Sequence, residues 1–338
     1  MLTLLITCLN IDCKSQNINI TYDNSQSQYL LTYWKKGSIS EEEMDKFMGL
    51  YGTKMYLKKL ATFFDDVDPV SFEQSIRQAI EGKPSANDRY MLNQLLSKKE
   101  TAQKMLNLIQ EHEAEITQKS IQLISRYVPD ILTMDMKVYL VFGIIGGGWT
   151  FADEPNAFFL DISNLGVDYE GMTYLAAHEL FHVVQDRMMP PSTAKHNGVR
   201  YLIDEMVKEG MATFIADFGH TTNNGEYSQF SVSIQNRNLR RIQSNFTLLE
   251  TLIFRAHFDQ EVQIDQLYSI GLSGMYGSPL YYVAYYMISK LDEEQKSGDY
   301  VMSMFNQPYE KLVLDYNALA LEKGYPSLSK QIIEIIQR

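Results

Sequence analysis

The sequence has little of several features, and each shortage excludes a class of protein. Its 338 residues contain only two cysteines, Cys8 and Cys13, so no disulfide scaffold can stabilise the rest of the chain. Acidic residues outnumber basic residues by 42 to 30. The resulting net charge of −12 argues against nucleic acid or an anionic membrane as the partner, since both need a basic face. No internal repeat, low-complexity tract or long apolar run is present, so we expect a soluble globular protein without a transmembrane span.

Residues 1–16 have part of the pattern of an export signal. Leu2 to Leu9 form a short apolar run, and small residues precede a cut ahead of Gln16. A basic start is missing, because no Lys or Arg precedes Lys14, and Cys8 is a weak candidate for lipid modification. We predict an exported protein that is periplasmic, extracellular or lipid-anchored. The alternative is a cytoplasmic protein in which this segment is a buried strand.

The pattern HExxH, from His178 to His182, lies within an apolar run from Met172 to Val184. No proline occurs between Gly171 and Arg187, so the run predicts a helix. Residues four apart share one face of a helix, and two neutral imidazoles placed in this way can bind one zinc ion. Glu179 borders the same face and is predicted to be the general base for a metal-bound water.

Glu209 is the predicted third ligand. A hydrolytic zinc site needs three protein ligands and an open position for water, and the two histidines leave one ligand to find. Glu209 lies in a second helical pattern, from Val199 to Phe218, among apolar neighbours where an unpaired carboxylate is costly. Gly210 follows directly and, lacking a side chain, allows another backbone to approach closely.

These residues together resemble the gluzincin metallopeptidases, in which HExxH is followed by a glutamate in a second helix. The segment from Lys208 to Ala212 is similar to the Asn-Glu-Gly-x-Ala segment of aminopeptidase N-like members, although the gap after His182 is longer here. This similarity covers roughly Asn156 to Phe218. The whole chain resembles uncharacterised bacterial families of zinc-dependent proteases, which implies peptide hydrolysis but does not imply a particular substrate.

Two strands are predicted before the metal helix, from Lys137 to Phe142 and from Asn156 to Ile162. Gly143 to Gly148 lacks the glycine spacing of a phosphate loop and the helix start with Lys-Ser/Thr, so we interpret it as a turn between strands. The gluzincin resemblance implies that Asn156 to Ile162 forms the edge of the cleft and pairs with the substrate backbone. An ordinary strand inside the sheet is the alternative.

The resemblance also implies a tyrosine that donates a hydrogen bond to the oxyanion, and Tyr281 and Tyr282 are the candidates, with Tyr276 as a further one. The opposing interpretation is a packing helix with phenols at its rim. His257 is an alternative oxyanion donor. Glu205 is an alternative ligand or a side chain that supports a ligand, and Asp217 is a candidate to orient a metal-bound imidazole. His196 is predicted to be a surface residue in a loop rather than a fourth ligand.

The predicted fold is α+β and mainly helical, with a small sheet before the metal helix. The predicted domains are a signal segment at 1–16, a helical N-terminal lobe at 17–130 that forms one wall of the cleft, and a metallopeptidase-like lobe at 131–338. The predicted function is zinc-dependent hydrolysis of a peptide or protein substrate. The alternatives are a secreted, non-catalytic zinc- or peptide-binding protein and a metal hydrolase of non-peptide substrates.

Overall fold

The structure of the protein is a computed structural model. The predicted export segment, with Cys8 and Cys13, and the predicted loop residue His196 lie outside the described residues. None of the helices in the described part of the chain has the length and apolar character needed to cross a membrane. The described residues are 17–64, 67–83, 88–130, 132–189, 198–222, 225–259, 261–295 and 300–338.

The described residues form fifteen α-helices and one sheet of four strands, so the prediction of a mainly helical α+β protein is confirmed at this level. The strands are β1 (Asn17–Asp23), β2 (Thr133–Val141), β3 (Gly147–Thr150) and β4 (Ala157–Asp161). The helices are α1 (Ser25–Lys36), α2 (Glu41–Gly49), α3 (Tyr51–Leu60), α4 (Pro69–Ile80), α5 (Leu92–Ser97), α6 (Lys99–Ser125), α7 (Tyr169–Met188), α8 (Gly198–Ile215), α9 (Glu226–Arg240), α10 (Ile242–Phe258), α11 (Ile264–Leu272), α12 (Pro279–Gln295), α13 (Tyr300–Ser303), α14 (Glu310–Lys323) and α15 (Lys330–Ile336).

The first described residues form a strand, which corrects the prediction that the pattern is helical from Asn17 onward. In β1, Ile18 and Ile20 are buried and alternate with exposed neighbours, as expected for a half-buried strand. β1 pairs in parallel with β2, with Asn17 opposite Thr133. The sheet therefore contains strands from both sides of the predicted boundary at residue 130. The division into two lobes stays a prediction.

The order of the strands is β1-β2-β4-β3, so β4 lies inside the sheet. It pairs in parallel with β2 and antiparallel with β3, and all five of its residues are buried. The prediction that the segment Asn156 to Ile162 forms the edge of the cleft is therefore wrong, because both edges of β4 are occupied by neighbouring strands. The edge strand next to β4 is the short β3, which begins within the glycine-rich segment that was interpreted as a turn, and β1 forms the other edge.

The two faces of the sheet contact different helices. On one face, Trp149, Phe159 and Tyr139 come from three neighbouring strands and form a continuous ring stack, with centroids 5.5 and 5.2 Å apart, and Tyr51 of α3 packs against it. Successive residues of a strand point to opposite faces, so Gly148 points to the other side, where α7 lies. The sheet thus separates α3 from α7.

Candidate metal centre

Helix α7 carries both histidines of the HExxH pattern, as predicted. It begins after Asp168, whose side chain accepts a hydrogen bond from the backbone N–H of Gly171 at 2.8 Å, and it continues without a proline to Met188. Residues on nearly all sides of this helix are buried, which explains its high apolar content. His178 and His182 lie one turn apart, with their Nε2 atoms separated by 3.1 Å.

Glu209 of α8 completes the cluster. Its Oε2 atom lies 3.3 Å from Nε2 of His178 and 3.2 Å from Nε2 of His182. A tetrahedral zinc ion with bonds of about 2.0–2.1 Å holds its ligand atoms about 3.3–3.4 Å apart, close to the three separations found here. Among the described residues, these three form the group of His, Cys, Asp and Glu side chains that can hold a metal ion. The donor set of two imidazoles and one carboxylate therefore fits zinc in geometry and in chemistry.

Gln185 orients the imidazole of His182. Its amide Nε2 donates to the backbone carbonyl of Lys208 at 2.9 Å, so its Oε1 atom must face Nδ1 of His182, at 2.9 Å. A carbonyl can only accept, which fixes the orientation of the amide and leaves the proton of the imidazole on Nδ1. The lone pair on Nε2 of His182 is thereby directed towards Glu209, as a metal ligand requires. The sequence analysis missed this residue, although it lies three positions after His182 on the same helix.

The charges within the cluster favour a bound cation. Burial raises the pKa of Glu209, but the two imidazoles outweigh it and hold the pKa of this carboxylate well below its ordinary value. Burial lowers the pKa of His182, but Glu209 outweighs that effect and raises the pKa to about 9. The buried carboxylate is thus kept ionised and attracts positive charge, either a proton on an imidazole or a metal ion.

Glu179 is buried beside the cluster and contacts the edge strand. A Cβ atom on Gly148 would lie 2.7 Å from the carboxyl group of Glu179, so only glycine allows β3 to approach this side chain so closely. Burial raises the pKa of Glu179, while the two histidines act in the opposite direction. The loop that leads into β3 is held by the buried carboxylate of Asp161, which accepts hydrogen bonds from Gly143 N at 3.2 Å and Gly146 N at 2.9 Å.

The cluster lies in a cavity of about 500 Å³ that β3, the end of α3, helices α7 to α9 and the segment around α12 surround. Gly210 sets the approach of α12, because a Cβ atom there would overlap Ala284 and lie 3.0 Å from Tyr285 N. The close approach predicted from this glycine is therefore made by α12. Tyr281 lies in the first turn of α12. Burial raises the pKa of Tyr281, and the charge of Glu209 and a side-chain contact with Glu209 raise it further.

Tyr281 and Tyr282 both line the cavity, but they face different groups. Glu209 is the charge that acts most strongly on Tyr281, whereas Asp217 is the one that acts most strongly on Tyr282, after burial in both cases. The ring of Tyr282 also packs beside Tyr285, with centroids 6.3 Å apart. Tyr281 therefore lies on the side of Glu209, and Tyr282 lies on the side of Asp217 and its separate polar network.

Three other residues that were predicted to support the site do not contact the cluster of His178, His182 and Glu209 as expected. The carboxylate of Asp217 accepts hydrogen bonds from the hydroxyl of Tyr285 and the amide of Gln235, both at 2.7 Å, so its partners are not the imidazoles. His257 is exposed on α10 beside Phe258 and does not line the cavity. Glu205 lines the cavity one turn before the third ligand, but within the described residues it is outside the group of ligand atoms.

Sequence reasoning also missed three cavity-lining residues, namely Lys59 of α3, Tyr227 of α9 and Tyr268 of α11. Burial raises the pKa of both tyrosines. Glu179 is the main charge acting on Tyr227, and Glu209 is the main one acting on Tyr268. No local pattern marks these positions, because each reaches the cavity from a segment distant in the sequence.

Comparison with known proteins gives one match and two negative results. No curated protein and no solved structure matches the chain. The model of one family, described as "Putative zinc dependent peptidase (DUF5700)", matches residues 44–325, which is most of the chain. With the cluster described above, this match confirms the prediction of zinc as the cofactor and supports a protease at the level of the family. The chain belongs to this family of zinc-dependent peptidases.

Proposed function

We propose that the protein hydrolyses peptide bonds as a gluzincin-type zinc peptidase, with His178, His182 and Glu209 as the ligands. The observation that carries the proposal is the triangle of ligand atoms, 3.1–3.3 Å on each side, at the wall of a cavity that also contains a buried carboxylate. A zinc ion with three protein ligands polarises a carbonyl and lowers the pKa of water in its open position to near 7.

Glu179 acts as the general base in this proposal. It takes a proton from the attacking water and gives a proton to the leaving amine. Its side chain projects from α7, is buried, and packs closely against Gly148 of β3, so the strand restricts the position of its carboxyl group. A base held in this way loses little conformational entropy when the substrate reacts.

The edge strand β3 binds the substrate backbone. Within the described part of the sheet it pairs on one side only, with β4, and its residues from Gly147 to Thr150 line the cavity. The free edge of a strand presents backbone N–H and C=O groups that an extended peptide can pair with. The role that the sequence analysis gave to the segment now identified as β4 thus passes to β3.

Tyr281 stabilises the oxyanion that forms when water attacks the carbonyl. Glu209 is the main charge on two cavity phenols, Tyr268 and Tyr281, and of these two Tyr281 also has a side-chain contact with Glu209. Burial keeps Tyr281 protonated and able to donate. Tyr227 lies on the side of Glu179 and supplies a second donor. Tyr282, which the sequence analysis named beside Tyr281, has a packing role in this proposal.

The test is Glu179→Gln, which has nearly the same shape but cannot accept a proton. We expect this variant to bind one zinc ion, to melt within a few degrees of the parent, and to cleave a broad peptide library about 10²–10⁴-fold more slowly. The matched control is Glu205→Gln, a second acidic residue of the same cavity, which should keep most of the activity.

Two outcomes contradict the proposal in different ways. Equal cleavage by the zinc-loaded Glu179→Gln variant and the parent would remove Glu179 as the base. A zinc-loaded parent that cleaves no peptide would favour a binding protein or a hydrolase of other substrates. Export of the protein, which was predicted from residues 1–16, is a separate proposal that fractionation of the producing cells would test.

A further inference from the structure

Lys59 brings a positive charge into the cavity from the opposite side of the sheet to α7. It lies at the end of α3 and is half-buried. The other lysine of the cavity, Lys208, forms an ion pair with Asp186 at 2.6 Å. In the part of the chain that the structure describes, no carboxylate lies within ion-pair distance of the Lys59 ammonium group.

The surroundings of α3 hold Lys59 in this place. The hydroxyl of Tyr56 accepts a hydrogen bond from Ile144 N at 3.0 Å, and Leu60 is fully buried. Lys58 forms an ion pair with Asp153 at 2.6 Å, in the connection between β3 and β4. The end of α3 is therefore fixed to the loops on both sides of β3, and this packing places Lys59 in the lining of the cavity.

The ammonium group of Lys59 has an aromatic ring beside it and carboxylates only at longer range. Burial lowers the pKa of Lys59, and the carboxylates of Glu179 and Glu209 act in the opposite direction at longer range. Glu209 is engaged with the two imidazoles at 3.2 and 3.3 Å, and Glu179 is assigned to proton transfer. The ring of Phe63 lies 5.4 Å from the Lys59 ammonium nitrogen but carries no net charge, so a ligand carboxylate would supply the anion that this partly desolvated cation lacks.

We propose that Lys59 binds a carboxylate of the substrate, supplied either by the C-terminus of a peptide or by an Asp or Glu side chain. The inference rests on the proposed function, because it assumes that a peptide occupies this cavity. It narrows the substrate class to peptides with a negative charge at a set distance from the cleaved bond. Lysine recognises such a group as a compact point charge with three donors.

The first experiment measures binding without hydrolysis, using the zinc-loaded Glu179→Gln protein. It is mixed with equal amounts of three N-acetylated hexapeptide pools: free acids without Asp or Glu, the matching amides, and amides that contain one Asp or Glu. Bound peptides are counted by mass spectrometry. We expect one or both carboxylate-containing pools to be captured about 10- to 100-fold better than the neutral amides, the range that a hydrogen bond between charged groups contributes.

The second experiment repeats the selection with a Glu179→Gln protein that also carries Lys59→Gln. We expect the preference for carboxylates to disappear, whereas Lys54→Gln, an exposed lysine on the same helix, should leave it unchanged. Preference for the free acids identifies the C-terminus as the source, and preference for the third pool identifies an acidic side chain. A preference that survives Lys59→Gln, equal capture of all three pools, or capture of none overturns the inference.

Cleavage by the parent protein separates this inference from the proposed function. If the parent cleaves all three pools at equal rates, hydrolysis stands and the role of Lys59 is wrong. If selection depends on Lys59 but the zinc-loaded parent cleaves nothing, the carboxylate site stands and hydrolysis fails. If the parent cleaves peptides and selection depends on Lys59 and on the free C-terminus, the cleaved bond should lie at a constant number of residues from the C-terminal end of the peptide.

Discussion

Gln185 provides a sharp test of the metal centre, because it joins one ligand to the backbone beside another. It is fully buried, accepts from Nδ1 of His182 at 2.9 Å and donates to the carbonyl of Lys208 at 2.9 Å. Gln185→Met keeps nearly the same length and volume but removes both hydrogen bonds. Loss of such an orienting partner typically weakens metal binding about 10- to 100-fold, which corresponds to about 1.4–2.8 kcal/mol.

A second variant at the same position separates orientation from stability. In Gln185→Glu, a carboxylate oxygen still accepts from Nδ1 of His182, so zinc affinity should stay close to that of the parent. An ionised carboxylate cannot donate to the carbonyl of Lys208, which keeps only its hydrogen bond within α8, and loss of one hydrogen bond typically costs about 0.5–1.5 kcal/mol. We therefore expect both variants to lower the melting temperature of the metal-free protein and only Gln185→Met to lower zinc affinity markedly.

Competition with a chromophoric zinc chelator measures the affinities, and calorimetry of the metal-free proteins measures the stabilities. The comparison between the two variants removes the contribution of general destabilisation, since both lose the bond to Lys208. If Gln185→Met holds zinc as tightly as the parent, the side chain does not orient His182, and the tautomer argument is wrong.

Three further predictions concern the ligands, the edge strand and the start of the metal helix. Glu209→Ala should lose zinc on dialysis while Glu205→Ala keeps most of it, and equal zinc content by elemental analysis would remove Glu209 from the site. Gly148→Ala should displace Glu179, since the new Cβ atom would lie 2.7 Å from its carboxyl group, and should lower peptidase activity while zinc content stays unchanged. Asp168→Ala removes the carboxylate that caps α7 and binds the start of α9, at 2.8 and 2.7 Å, so calorimetry should show a loss of about 1–3 kcal/mol; an unchanged melting temperature would contradict this role.

The sequence by itself determined the candidate metal site to a large extent, because its signals are local. Two histidines four apart on a helix must share a face, and a glutamate among apolar helix positions needs a cation. His178, His182 and Glu209 were predicted on this basis, and the structure brings their ligand atoms together. The capping box of Ser40 and Glu43, which opens α2, is an equally local signal.

The parts that only the tertiary structure decided depend on contacts between distant segments. The order of the strands follows from pairing over long sequence separations, such as Asn17 with Thr133, which no local pattern encodes. That order makes β3 rather than β4 the free edge and places Gly148 against Glu179. Lys59 enters the cavity for the same reason, because packing of α3 on the sheet, and not its own sequence neighbourhood, sets where its charge lies.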